Sequence, residues 1–293
     1  MRVGFIGIGN MGWPMAVNVL KSRHRVIVHD ANVTRSARFA AENGCERLVQ
    51  LRDLAAADFL ITMLPDARAV RNVYLEEAGG AARHLQFGTI AIDMSSSNPF
   101  ETRVLAQKLA PHGVTVLDAP VSGGVAQARS AALTIMLGGD DPPAIERAKP
   151  LLASMGDRLI ETGALGTGHA AKALNSFVGG AGYAAAAEAV LVARRLGIEA
   201  RTLLEILSAA TERNVSAAAI LREHVVGRKL ASGFALGPFS KDVAIAAELG
   251  KHAGLDAPLT RVICRRFKLA RDRLGTERDS SEALISWDIT LKQ

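Results

Sequence analysis

The apolar run Val3–Ile8 leads directly into Gly7-Ile8-Gly9-Asn10-Met11-Gly12, and a helical pattern, Met11–Leu20, opens within that loop. Few arrangements use three glycines at this spacing between a strand and a helix. The first permits a tight turn, and the second lets backbone N–H groups approach a pyrophosphate. The third lets the helix pack on the strand, with its positive N-terminus facing the anion. Pro14 lies in the first helical turn, where its missing N–H costs nothing. A second apolar run, Val26–His29, ends at Asp30, where an acid that accepts hydrogen bonds from a ribose is expected. On this reading Gly7, Gly9, Asn10, Met11, Gly12 and Asp30 hold a dinucleotide. The carboxylate favours NAD, because it repels a 2′-phosphate, while Arg35 keeps NADP open.

Further short runs rich in Val, Ile and Leu follow: Phe59–Leu64, Thr89–Asp93, Val114–Leu117, Leu133–Leu137 and Leu159–Glu161. Helical spacing separates most of them, at Thr34–Glu42, Ala67–Leu75, Pro99–Leu109 and Pro143–Met155. Strands alternating with helices predict an α/β fold, a mainly parallel Rossmann-type sheet covered on both faces. Ligands bind such sheets at the carboxyl ends of the strands, which makes Leu64, Pro65 and Ser96 further cofactor contacts.

The pattern changes after Gly163. Thr167–Leu196 is dominated by Ala and Gly and predicts one long helix, about 40 Å at 1.5 Å per residue. Its glycines Gly179, Gly180 and Gly182 cost up to about 1 kcal/mol each, which close approach of another helix would offset. Helical periodicity continues through Ala200–Ala209, Ser216–Val226, Ser240–Ala253 and Leu259–Leu274. The expected organisation is a dinucleotide-binding domain over 1–163 and an all-α substrate and dimerisation domain over 164–293, joined by the long interdomain helix. Aromatics are only 4% of the chain, so the packing is expected to rely on close helix contacts.

Two segments carry the candidate chemistry. Ser122-Gly123-Gly124 lies just past the run ending at Leu117, and a hydroxyl with unobstructed backbone N–H groups suits a substrate carboxylate. A plain glycine turn is the other reading. Lys172 and Asn175 are three apart on the long helix and share a side. A lysine desolvated among alanines has its pKa lowered towards the range useful for proton transfer. A lysine that snorkels to the surface is the alternative.

Read together, Gly4-Phe-Ile-Gly7-Ile-Gly9-Asn-Met-Gly12-Trp-Pro14-Met-Ala-Val-Asn18, Asp118-Ala-Pro-Val-Ser122-Gly123-Gly124, Gly166-Thr-Gly168-His-Ala-Ala-Lys172-Ala-Leu-Asn175 and Lys241-Asp242 resemble the β-hydroxyacid dehydrogenase family in order. This family includes 3-hydroxyisobutyrate dehydrogenase, tartronate semialdehyde reductase and the glyoxylate/succinic semialdehyde reductases. The resemblance implies NAD(P)-dependent hydride transfer to or from a small carboxylate carrying a β-hydroxyl or semialdehyde. It also implies assembly as a homodimer or homotetramer. It makes Lys172 the acid/base, Asn175 a substrate contact, and Lys241 a cofactor contact, with Phe234 and Asp242 close to the cleft. Many relatives carry a second Asn where this chain has Ser176. Thr211–Ser216, with Arg213, is where relatives differ and where a substrate's distal group is expected.

The remaining features exclude more than they suggest. The net charge of +6 comes from scattered Lys and Arg with no like-charge block, which argues against a nucleic-acid partner. Cys45 and Cys264 have no paired spacing, which fits a reducing compartment, and the seven His show no ligand spacing, so no metal is expected. His169, one turn before Lys172, is read as supporting it. No uninterrupted apolar stretch approaches 18 residues, so a cytoplasmic protein with no membrane partner is expected. Two rival functions remain. An imine reductase shares this architecture but commonly lacks the lysine, and a non-catalytic cofactor-binding scaffold would not need the Lys172/Asn175 pair.

Overall fold

A computed structural model describes residues 1–76, 80–210 and 233–287. Two compact units emerge, Met1–Lys172 and Ala173–Gln293. The first is built on nine strands: β1 (Arg2–Ile6), β2 (Arg25–His29), β3 (Glu46–Arg47), β4 (Phe59–Thr62), β5 (Ile90–Asp93), β6 (Thr115–Asp118), β7 (Val121–Ser122), β8 (Thr134–Gly138) and β9 (Arg158–Gly163). Their order is β3-β2-β1-β4-β5-β6-β8-β7, with β9 beside β8. From β3 to β6 every pairing is parallel; β8 then runs antiparallel to β6 and β7. The chain winds one way from β1 to β2 and returns to the other side at β4. The loop after β1 therefore sits at the switch point of the sheet, where such folds bind ligands.

Continuous apolar strands serve both faces, because side chains alternate across the pleat. Val3, Phe5, Val26, Val28, Phe59, Ile61, Ile90 and Ile92 pack into one core with Met15 and Val19 of α1 (Gly12–Lys21) and Phe39 of α2 (Val33–Asn43). Ile6, Ile27, Leu60 and Ala91 feed the opposite core, with Val70 and Tyr74 of α3 (Ala67–Leu75) and Leu105 of α4 (Pro99–Leu109). Two short helices or turns complete this unit, α5 (Gly124–Arg129) and α6 (Pro142–Leu152). The predicted strands and helices are found with shifted ends. The two-residue strands β3 and β7 and the helix α5 are additions, too short to show a period.

The long helix, α7, spans Thr167–Arg195. The first unit ends at Lys172, inside α7, whereas the sequence suggested a division near 163. The reason is local: the first turn of α7 is bonded to the end of β6, as described below. α7 is long and apolar enough to cross a membrane by length and composition alone. Here its second part buries Tyr183, Ala184, Ala187 and Val190 in a core of its own unit.

The second unit continues with α8 (Ala200–Ala210), α9 (Leu236–His252), α10 (Pro258–Leu274) and α11 (Ala283–Trp287). The expected helix Ser216–Val226 and the segment Thr211–Ser216 lie outside the described residues. A cluster of aromatic rings packs here: Phe267 stacks edge-on with Phe239 at 4.8 Å and with Trp287 at 5.5 Å, and Tyr183 lies 6.3 Å from Phe267. Gly180 makes this possible. A Cβ there would stand 3.1 Å from Phe239 and 3.2 Å from Phe267, so the helix accepts a glycine in order to seat two rings. A Cβ on its neighbour Gly179 would meet nothing within 4 Å among the described residues. Two substitutions separate these roles. Gly180→Val should destabilise by about 1–3 kcal/mol through overpacking. Gly179→Ala should stabilise by about 0.5–1 kcal/mol through helix propensity. Urea unfolding of both variants measures the contrast, and equal shifts would contradict it.

Candidate active site

The loop after β1 assigns its glycines different work. Gly7 has φ +93°, and a Cβ on it would meet the Met63 carbonyl oxygen at 2.3 Å. A Cβ on Gly12 would lie 1.9 Å from the Gly7 carbonyl oxygen, so α1 starts in contact with the loop itself. Gly9 faces open space. Asn10 is exposed beside it, and Met11 is the residue before α1, half-buried against the core. No side chain caps the start of α1 and no acid lies in its first turn, which leaves its positive end available to an anion. A cleft of about 950 Å³ opens here, lined by Gly9, Asn10, Asn18 and the cationic Arg35, Arg38 and Arg129. Open backbone, an uncapped helix start and flanking cations fit a dinucleotide pyrophosphate.

Asp30 closes this loop from β2. Its Oδ2 accepts the Ile8 N–H at 3.0 Å, and its Oδ1 accepts the Asn32 N–H at 2.8 Å. Arg35 Nη1 lies 3.4 Å from both oxygens. The carboxylate, 7% exposed, thus shapes the loop. Its pairing with Arg35 also engages the cation that the sequence left as a 2′-phosphate contact. Leu64, Pro65 and Ser96 follow the carboxyl ends of β4 and β5, and the Leu64 N–H donates to Ser95 Oγ at 2.9 Å.

The Ser122 segment is less free than the sequence suggested. Ser122 is the last residue of β7 and pairs antiparallel with Thr134. Gly123 and Gly124 then take φ of +133° and +71°, conformations that side-chain-bearing residues rarely adopt. Open space faces Gly124, so a ligand can approach its backbone.

The start of α7 is built around β6. Asp118, fully buried at the end of that strand, accepts the Gly166 N–H on Oδ1 and the His169 N–H on Oδ2, each at 2.7 Å. The buried His169 ring shares a hydrogen bond between Nδ1 and Thr102 Oγ1 at 2.9 Å, and its Nε2 stands 3.6 Å from Asp93 Oδ2. Asp93 in turn accepts from Thr62 Oγ1, the Ser95 N–H and Ser97 Oγ. One turn beyond His169, Lys172 is 8% exposed, so most of its side chain is enclosed.

In the second unit Asn175 is exposed, and the buried polar residue one turn after Lys172 is Ser176. Ser176 Oγ donates to Asp242 Oδ2 at 3.1 Å, and Asp242 is itself buried on α9. Lys241 is half-buried on the same helix, and Phe234 packs edge-on against Phe239 at 5.7 Å. Sequence reasoning missed Asp93 and the part played by Ser176. A signal for the first existed: the runs ending at Asp30, Asp93 and Asp118 each close an apolar strand with an aspartate.

Comparison with known proteins agrees with this geometry. Residues 2–163 match the family model of the NAD binding domain of 6-phosphogluconate dehydrogenase, and residues 166–287 match that of the NAD-binding region of NADP-dependent 3-hydroxyisobutyrate dehydrogenase. The chain is 32% identical to 2-(hydroxymethyl)glutarate dehydrogenase of Eubacterium barkeri, covering 98% of this chain and 95% of that protein. It is 31% identical to 2-hydroxy-3-oxopropionate reductase of Escherichia coli, over 96% of this chain and 95% of that protein. Among solved structures, Mycobacterium tuberculosis 3-hydroxyisobutyrate dehydrogenase with L-serine superimposes with a TM-score of 0.88 at 30% identity, covering 100% of this chain and 99% of that one. With both halves matched and relatives spanning its length, the chain belongs to the β-hydroxyacid dehydrogenase family of NAD(P)-dependent oxidoreductases.

Proposed function

We propose that this enzyme interconverts a small β-hydroxy acid and its semialdehyde, with Lys172 as the acid/base. The burial of Lys172 beside the Asp118-anchored start of α7 carries this reading. A largely enclosed lysine next to a hydrogen-bonded turn is suited to exchanging one proton with a hydroxyl. In oxidation the neutral Lys172 amine accepts the substrate hydroxyl proton; in reduction its ammonium returns that proton to the developing alkoxide. The bound nicotinamide supplies or takes up the hydride. Ser122, Gly123 and Gly124 hold the substrate carboxylate through a hydroxyl and open backbone, which orients the hydroxyl carbon.

Gly7, Gly9, Asn10, Met11, Gly12, Asp30, Leu64, Pro65 and Ser96 form the cofactor site of the first unit. Asn175 and Lys241 enter by resemblance, as contacts to substrate and cofactor. The engaged pair Asp30–Arg35 favours NAD over NADP. The 1–163 segment serves as the dinucleotide-binding domain and 164–293 as the substrate and dimerisation domain of a cytoplasmic homodimer or homotetramer. The imine reductase reading is weaker, because a buried lysine is present where those enzymes commonly lack one.

Two experiments test this. Lys172→Ala should lower turnover by at least ~10²-fold, the scale of general acid–base catalysis, while NADH affinity by fluorescence titration stays within about twofold. Turnover equal to wild type would sink the mechanism. Asp30→Asn removes the charge but leaves one acceptor oxygen for the Ile8 and Asn32 N–H groups, so kcat/KM should fall with both cofactors as the loop shifts, and the NAD-to-NADP preference should fall roughly tenfold, about 1.4 kcal/mol. An unchanged ratio would remove Asp30 from cofactor choice. A panel of β-hydroxy acids and semialdehydes, each run with both cofactors, identifies the substrate.

A further inference from the structure

Asp118 is fully buried, and its surroundings are cut to fit it: a Cβ on Gly138 would lie 2.5 Å from Oδ1, and one on Gly168 would lie 2.9 Å from Oδ2. Gly168 also brings α7 onto the sheet, since its Cβ would meet the Met136 carbonyl oxygen at 2.3 Å. Each carboxylate oxygen accepts one backbone N–H, from Gly166 and from His169, at 2.7 Å. Such bonds to a carboxylate are short and strong. Thr102 on α4 holds the His169 ring from another direction, through its hydroxyl at 2.9 Å. The turn before Lys172 is therefore gripped at two backbone atoms and one side chain.

We infer that Asp118 is a positioning residue for catalysis: it sets the rotation of the first turn of α7, and so the place of the Lys172 amine. The inference rests on Lys172 being the acid/base. A side chain on a helix reaches about 5–6 Å from the axis, so a rotation of 10° would move its tip by roughly 1 Å. A displacement of that size can cost about 10²-fold in rate. An asparagine at 118 has one acceptor oxygen and an NH₂ donor, so it can satisfy only one of the two N–H groups. The other would face a donor, and the turn must shift.

Asp118→Asn should lower kcat by about 10- to 100-fold, with NADH affinity unchanged within about twofold. Thr102→Val, which keeps shape but releases the His169 ring, should give a smaller fall of the same kind and provides the test if Asp118→Asn does not fold. A merely structural role would lower the amount of folded enzyme, leaving turnover per NADH-binding site intact. The decisive measurement is the pairing with Lys172→Ala. If Asp118 or Thr102 acts through Lys172, adding its substitution to Lys172→Ala leaves residual turnover unchanged within about threefold. Effects that multiply, or a wild-type kcat per site in both single variants, would overturn the inference while the acid/base role stands. Full turnover in Lys172→Ala alone would overturn the acid/base role itself, and this inference with it.

Discussion

Both oxygens of the Asp118 carboxylate hold backbone N–H groups at the start of α7, and through that contact the sheet dictates where the helix begins. A buried carboxylate is costly unless its lone pairs are satisfied. Here the acceptors are used by helix donors that would otherwise lack a partner. The arrangement constrains its neighbours too. Gly138 and Gly168 flank the carboxylate at distances that no side chain could share.

The same device recurs along the sheet. Asp30 directly follows β2 and accepts the Ile8 and Asn32 N–H groups; Asp93 ends β5 and gathers Thr62, Ser95 and Ser97. Where parallel strands stop, loops leave with unpaired donors, and a strand-terminal aspartate collects them. That shapes the loops on the edge of the sheet where ligands bind. The cofactor loop and the lysine-bearing turn are thus held by one kind of interaction, placed at two strand ends.

Much of this was legible from local pattern. The glycine spacing required a strand, a tight turn and a helix, and the structure supplies a steric reason for Gly7 and Gly12 while leaving Gly9 open. Continuous apolar runs announced strands buried on two faces, and the two cores separate alternate residues as that requires. Other elements escaped because their cause is not local. β7 is two residues that exist only because β8 pairs with them, and α9 begins at Leu236, four residues before the expected Ser240. A proline is tolerated in the first helical turn, so Pro238 fits within the start of α9. The low aromatic content said nothing of where the rings would gather. Two of them, Phe239 and Phe267, meet at Gly180, where a missing Cβ leaves room.

By itself the sequence determined the order of elements, the dinucleotide loop and a lysine on a long alanine-rich helix, because each depends on residues near one another in the chain. Tertiary structure alone decided which of the candidates share an environment. It showed that Lys172 is buried, that Ser176 and not Asn175 is the enclosed polar residue on the next turn, and that Arg35 is paired with Asp30. It also brought Asp118 to a helix start 48 residues away in sequence. Burial and long-range hydrogen bonding depend on what the rest of the chain packs against each group, and no period or spacing records that.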